Sequence, residues 1–185
     1  MRIIGGTKRG ARLETPPGRS VRPMPDRVRQ SLFDILGQDM TGLRFLDLFC
    51  GTGAVGLEAA SRGAARCVLV DSGREATQVC GRNIDRLAMS ARVSLMPIDA
   101  AGAVEELARR GETFDVVFAG PPFRLSVEAV RTLVERVAAS PLLAEGGLLV
   151  AQLKSDVGSF APGGLTLVDD RTYGINRLFF FRRNP

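Results

Sequence analysis

The sequence predicts an α/β fold: a mostly parallel sheet of seven strands with helices on both faces, closed by an antiparallel hairpin and preceded by a small basic hairpin arm. Three observations carry this. Short apolar runs near 66–71, 92–96, 114–119 and 147–153 alternate with amphipathic patterns near 73–88, 100–110 and 126–139. A first apolar run over 45–49 passes into the tight loop Cys50-Gly51-Thr52-Gly53, then into a helix from about Ala54 that stops at Gly63. At the end, Leu165-Thr166-Leu167-Val168 and Leu178-Phe179-Phe180-Phe181 lie either side of Tyr173-Gly174-Ile175-Asn176-Arg177, the pattern of a hairpin.

Each remaining element follows from its own pattern. Arg2-Ile3-Ile4 and Ala11-Arg12-Leu13-Glu14 flank a Gly-rich turn, which reads as a hairpin with Lys8 and Arg9 at its tip. Residues 15–25 hold too much Pro and Gly to be regular and form a tethered loop carrying Arg22. A helix over Asp26–Leu36 sets Val28, Leu32, Ile35 and Leu36 on one face, to dock on the main domain, with Arg27 and Arg29 off it. The third strand ends in Met96-Pro97-Ile98-Asp99-Ala100, and the fourth runs into Gly120-Pro121-Pro122-Phe123. The expected division is an arm over 1–25 and a single domain over 26–185.

Composition narrows the chemistry. A chain of 185 residues, 45% of them hydrophobic, can bury one proper core. It has no apolar run of about 18 residues and no signal-like start, so no membrane is expected, and the expectation is a cytoplasmic monomer. The three cysteines, Cys50, Cys67 and Cys80, lack CxxC spacing and read as reduced and buried. There is no histidine, which removes Ser-His-Asp and Cys-His catalysis and His-ligated metals; no metal site is expected. The net charge of +5 is unevenly placed: residues 1–36 hold eight Lys/Arg against three acids, and the rest is neutral. That is the footprint expected for a polyanion partner such as nucleic acid; the lesser alternative is a merely solvated basic segment.

Gly51, Gly53 and Gly56 satisfy G-x-G-x-x-G, so an NAD-type dinucleotide is admitted. Asp47 argues otherwise. Its carboxylate at the strand tip would repel a pyrophosphate and attract the sulfonium and ammonium of S-adenosylmethionine. Asp47 could also simply cap a helix or accept a loop N–H. Glycine at 51 and 53 would let a ligand approach the backbone. Asp71, ending the second strand, is placed to accept ribose hydroxyls, and Asp99 to accept an adenine amino group or to cap the following helix. Asp47, Phe49, Gly51, Gly53, Asp71, Asp99 and Ala100 are the expected cofactor contacts. A parallel sheet finished by an antiparallel hairpin is the Rossmann-like class I S-adenosylmethionine-dependent methyltransferase architecture rather than the all-parallel dinucleotide fold.

Nearly the whole chain resembles the RsmD-type methyltransferases of small-subunit (16S) ribosomal RNA. The likeness lies in Met1-Arg2-Ile3-Ile4-Gly5-Gly6, in Arg22-Pro23-Met24-Pro25-Asp26-Arg27-Val28-Arg29, in the loop from Asp47 to Ala59, and in Pro121-Pro122-Phe123. The resemblance implies methyl transfer to the exocyclic N2 of a guanine, with small-subunit rRNA, free or in an assembled particle, as partner. It assigns the target site to Gly120, Pro121, Pro122 and Phe123, with Phe123 stacking the base. Lys8, Arg9, Arg22, Arg27 and Arg124 are the expected phosphate contacts. The chain departs from the family where Asp or Asn normally precedes the two prolines and accepts from the target amine; here Gly120 offers only backbone. A water in the space left by the side chain could substitute, and Gly120→Asp is expected to raise the rate. The alternative is a catalytically weak or inactive relative that binds rRNA and cofactor.

Overall fold

A computed structural model describes residues 1–16 and 24–184. Seven strands form one sheet in the order β3-β2-β1-β4-β5-β7-β6. Here β1 is Arg44–Asp47, β2 Arg66–Val70, β3 Val93–Met96, β4 Phe114–Ala119, β5 Leu143–Lys154, β6 Leu165–Tyr173 and β7 Asn176–Arg183. The first five pair in parallel, and β7 enters antiparallel between β5 and β6. The parallel strands are joined through helices, as right-handed crossovers require. These are α2 (Ala54–Ser61), α3 (Arg74–Arg86), α4 (Ala100–Arg109) and α5 (Val127–Ala139), with α1 (Asp26–Leu36) ahead of the sheet.

Alternation along each strand sorts side chains onto two faces. Phe45, Cys67, Leu69, Val116, Phe118, Val150, Leu178 and Phe180 pack with α1, α2 and α3. Their neighbours Leu46, Val68, Val117, Ala119, Leu149, Ala151, Phe179 and Phe181 pack with α4 and α5. All three cysteines are free and buried, as expected of small hydrophobes. No helix among the described residues is long and apolar enough to cross a membrane.

The N-terminal segment pairs as the expected short antiparallel hairpin. Ile3 N–H donates to the Ala11 carbonyl (2.9 Å), Gly10 N–H to that of Ile3 (2.9 Å) and Leu13 N–H to that of Met1 (3.0 Å), with Arg2 bridged to Arg12 around a 3-10 turn at Gly6–Lys8. Other backbone groups of the hairpin turn to the domain: Ile4 N–H donates to Glu58 Oε2 (2.8 Å), Lys8 N–H to Ser61 Oγ (2.9 Å) and Glu14 N–H to Asn83 Oδ1 (2.8 Å). Ile3 and Leu13 are buried in the cluster beneath α1, α2 and α3.

On α1 the buried residues are Val28, Arg29, Leu32 and Phe33, whereas Ile35 and Leu36 are only partly buried. Arg29 therefore lies inside, not off the docking face. It donates to the Arg2 carbonyl and pairs with Asp26 at 3.0 Å and with the fully buried Glu58 at 3.6 Å. Arg62 completes the cluster, donating to Glu58 Oε1 at 2.9 Å with its guanidinium over the Phe33 ring. Periodicity alone assigns an arginine to the wet face; an acid on the facing helix brings this one in.

Candidate functional site: the carboxyl edge of the sheet

β1 carries Asp47 to the carboxyl edge with its side chain on the α1–α3 face, 1% exposed. Oδ1 accepts from the Phe49 N–H at 3.3 Å, and Oδ2 has no partner among the described residues. Burial pushes this carboxyl up to about 7, against the pull of the Phe49 and Gly56 N–H groups, and the nearby Asp71 adds to the rise. A cation placed beside it would favour the ionised form.

The loop after β1 is pinned on both sides: Leu48 N–H donates to the Phe118 carbonyl (2.9 Å) and Cys50 N–H to that of Val70 (2.8 Å). Gly53 starts α2 with a left-handed φ of 87°, and a Cβ there would lie 2.9 Å from both Cys80 Sγ and Leu57 Cδ1. Glycine at 53 thus serves backbone handedness and helix packing rather than ligand room. Gly56 likewise lets α2 lie on β2, since a Cβ would fall 1.9 Å from Leu69 Cδ2. Phe49 is partly buried against the α4–α5 face.

Asp71, just past β2, joins two segments: Oδ2 accepts from Gly51 N–H (2.9 Å) and Oδ1 from Gly73 N–H at the start of α3 (2.8 Å). Asp99 caps α4, its Oδ1 accepting from Gly102 N–H at 2.9 Å, while Ala100 begins that helix and is buried. The structure therefore brings Asp47, Gly51, Gly53, Asp71 and Asp99 to the ends of three adjacent strands, β1, β2 and β3.

β4 ends one residue before Gly120. Pro121 is buried, Phe123 half-buried and Arg124 exposed, and they line a cavity of about 220 Å³ with Gln152 and Lys154. The space expected at Gly120 is filled by protein. A Cβ there would sit 2.6 Å from Phe118 Cε1 and 3.2 Å from Gln152 Oε1. The reason lies in strand parity. Phe118 and Gly120 face the same way, and so do Val150 and Gln152 on the neighbouring strand, where Ala119 pairs with Ala151. With no side chain at 120, the Phe118 ring and the Gln152 amide reach the spot from two sides. Gln152 carried a signal in the sequence that a strand reading overlooks, as the polar residue in the apolar run from Leu148 to Leu153.

The expected phosphate contacts divide into two places. Arg9 and Arg27 are exposed and line one cavity with Arg2, while Lys8 beside them is half-buried. Arg124 is at the Phe123 turn. Arg22 lies outside the described residues. Among the described residues no group of three or more His, Cys, Asp or Glu could hold a metal ion.

The chain is similar in sequence and fold to known proteins. The family model described as Conserved hypothetical protein 95 matches residues 1–182. YlbH of Bacillus subtilis (strain 168) is 32% identical over 185 residues, covering 99% of this chain and 99% of its own. Ribosomal RNA small subunit methyltransferase D of Escherichia coli (strain K12) is 37% identical over 169 residues, covering 91% of this chain and 79% of its own. The solved structure of yhhF from Escherichia coli superposes with a TM-score of 0.84 at 30% identity, over 100% of this chain and 98% of that one.

Proposed function

Since the chain belongs to the Conserved hypothetical protein 95 family, the RsmD type, we propose that this S-adenosylmethionine-dependent rRNA methyltransferase acts on the exocyclic N2 of a guanine in small-subunit rRNA. The observation that carries it is the adjacency of two loops. The glycine loop and the Gly120-Pro121-Pro122-Phe123 turn leave neighbouring strands, tied where Leu48 N–H meets the Phe118 carbonyl at 2.9 Å. A methyl donor held by the first loop would face an amine held by the second, which is the geometry direct transfer needs.

The residues present suit the cofactor. Asp47 keeps a buried carboxylate oxygen without a partner beside the loop, an acceptor fit for a cation but not for a pyrophosphate. Asp71 is already oriented by two N–H groups, and each oxygen has a second lone pair for a ribose hydroxyl. Phe49, Gly51, Asp99 and Ala100 would complete the pocket, and the bound cofactor supplies an electrophilic methyl. On the target side, Pro121 and Pro122 have no N–H, so this turn offers the base carbonyls with few competing donors. Phe123 would stack on it, a contact worth ~1–3 kcal/mol. Arg9, Arg27 and Arg2 around the N-terminal segment, and Arg124 beside the turn, would take phosphates.

The test is transfer of labelled methyl from S-adenosylmethionine to small-subunit particles lacking the mark, followed by nucleoside analysis. Label in N2-methylguanosine is the expected result; label elsewhere in the rRNA would correct the target, and none at all would remove this substrate.

A further inference from the structure

An exocyclic amine offers two hydrogens, and its lone pair points at the methyl donor only when both are held by acceptors. The Gly120-Pro121 backbone can take one. Gly120 has no side chain to take the other.

We propose that the Gln152 side-chain carbonyl, reaching across from β5, is that second acceptor and makes Gln152 a catalytic residue for the amine; this rests on the methyltransferase reading of the site. Its Oε1 lies 3.2 Å from where a Cβ on Gly120 would be. Among the side chains lining the cavity beside Phe123, Gln152 has the only carbonyl or carboxylate. The one hydroxyl there, Ser126, already accepts from Ala129 N–H as the cap of α5. Arg124 and Lys154 can only donate.

The amide's orientation is set by its neighbours. Asn176 on β7 donates its Nδ2 to the Tyr173 carbonyl at 3.3 Å, and a carbonyl can only accept. Asn176 must therefore turn its Oδ1 toward Gln152, which answers with Nε2 at 2.7 Å. That leaves Gln152 Oε1 facing Gly120, and no described residue donates to it. Asn176 is buried, so the chain Tyr173–Asn176–Gln152 holds the acceptor fixed.

The step balances without a side-chain base. The nitrogen lone pair forms the new N–C bond as the S–C bond breaks, its electron pair stays on sulfur, and the surplus proton on nitrogen passes to water. A neutral amide accepts a hydrogen bond that strengthens as positive charge grows on nitrogen, and it never takes the proton.

The test is single-turnover methyl transfer with saturating cofactor and small-subunit particles, wild type beside Gln152→Leu and Gln152→Ser. Affinities for S-adenosylhomocysteine and for the particle are measured separately. We expect both Gln152 variants to transfer roughly ten- to a hundredfold more slowly, with both affinities within about twofold of wild type, since the bond matters most in the transition state. Gln152 is half-buried; if the Leu variant does not fold, Ser, too short to reach the amine, decides. A wild-type rate in a folded Gln152 variant overturns the proposal and leaves the methyltransferase reading intact, whereas no transfer by wild type overturns both.

Discussion

Ile4 gives its backbone N–H to Oε2 of Glu58 at 2.8 Å, and that carboxylate is fully buried between Arg29 and Arg62. The N-terminal segment is thus fastened to α2 through an interior charge. Replacing Glu58 by Ala removes the buried acid that pairs with Arg62 and leaves Arg29 with Asp26 alone, and should cost roughly 3–5 kcal/mol of stability. Urea denaturation measures it. In whatever fraction remains folded, RNA affinity should fall and cofactor affinity hold, because the basic residues ride on the released segment.

Asp47 predicts two opposite pH trends. Its carboxyl is raised from the ordinary 3.8 to about 7 in the fold, so between those values the native state holds a proton that the unfolded chain has lost. Stability of the free protein should therefore fall as pH rises from about 4 to about 7 and level off above. Affinity for S-adenosylhomocysteine, whose ammonium favours the ionised carboxylate, should rise through the same upper range. Thermal melts and calorimetry across pH check both, and Asp47→Asn should flatten both curves.

Asp71 holds the Gly51 and Gly73 N–H groups as well as, on the proposed reading, the ribose. Asp71→Ala should weaken S-adenosylhomocysteine binding by roughly tenfold or more. Asp71→Asn keeps one carbonyl acceptor and should fall between. Equal affinity in all three proteins would place the ribose elsewhere.

Restoring an acid at position 120 no longer promises a faster enzyme. The new Cβ would press on Phe118, which is buried, and the carboxylate would compete with Gln152 Oε1. Gly120→Asp should lose roughly 1–3 kcal/mol of stability and fail to exceed the wild-type rate in single turnover. Phe123→Ala, which leaves the interior untouched, should slow transfer roughly ten- to a hundredfold.

Arg9 and Arg27 flank one cavity beside the N-terminal segment. Neutralising either to Gln should lower the slope of log RNA affinity against log salt by roughly one, whatever the sequence of the RNA. Filter binding over a salt series tests this; an unchanged slope in both variants moves the phosphate path away from the segment.

The fold was legible because its signals are local. Apolar strands, amphipathic helices and turn glycines state their period within a few residues, and the observed bounds of α1 and β4 match those expected. Asp71 and Asp99 were legible for a similar reason, since a strand's end fixes where its next side chain sits. What escaped depends on partners distant in sequence. Arg29 is inside because Glu58 faces it, and the purpose of Gly53 is set by Cys80 from another helix. Gln152 gains its meaning from Gly120, just past the strand on one side of it, and from Asn176 on the strand on the other. No periodicity along one segment encodes such a coincidence.

β7 lies between β5 and β6 although it follows both in the chain. While the polypeptide is being made, β5 must wait as an open edge, its outer row of amides and carbonyls exposed, until the last strand arrives. The proposed amine acceptor waits with it, because Asn176 is the first residue of β7. A ribosome-bound chain short of that strand could already have its cofactor loop in place while Gln152 still swung freely. Competence to act on RNA would then come after competence to bind the methyl donor, an order of maturation written into the strand sequence.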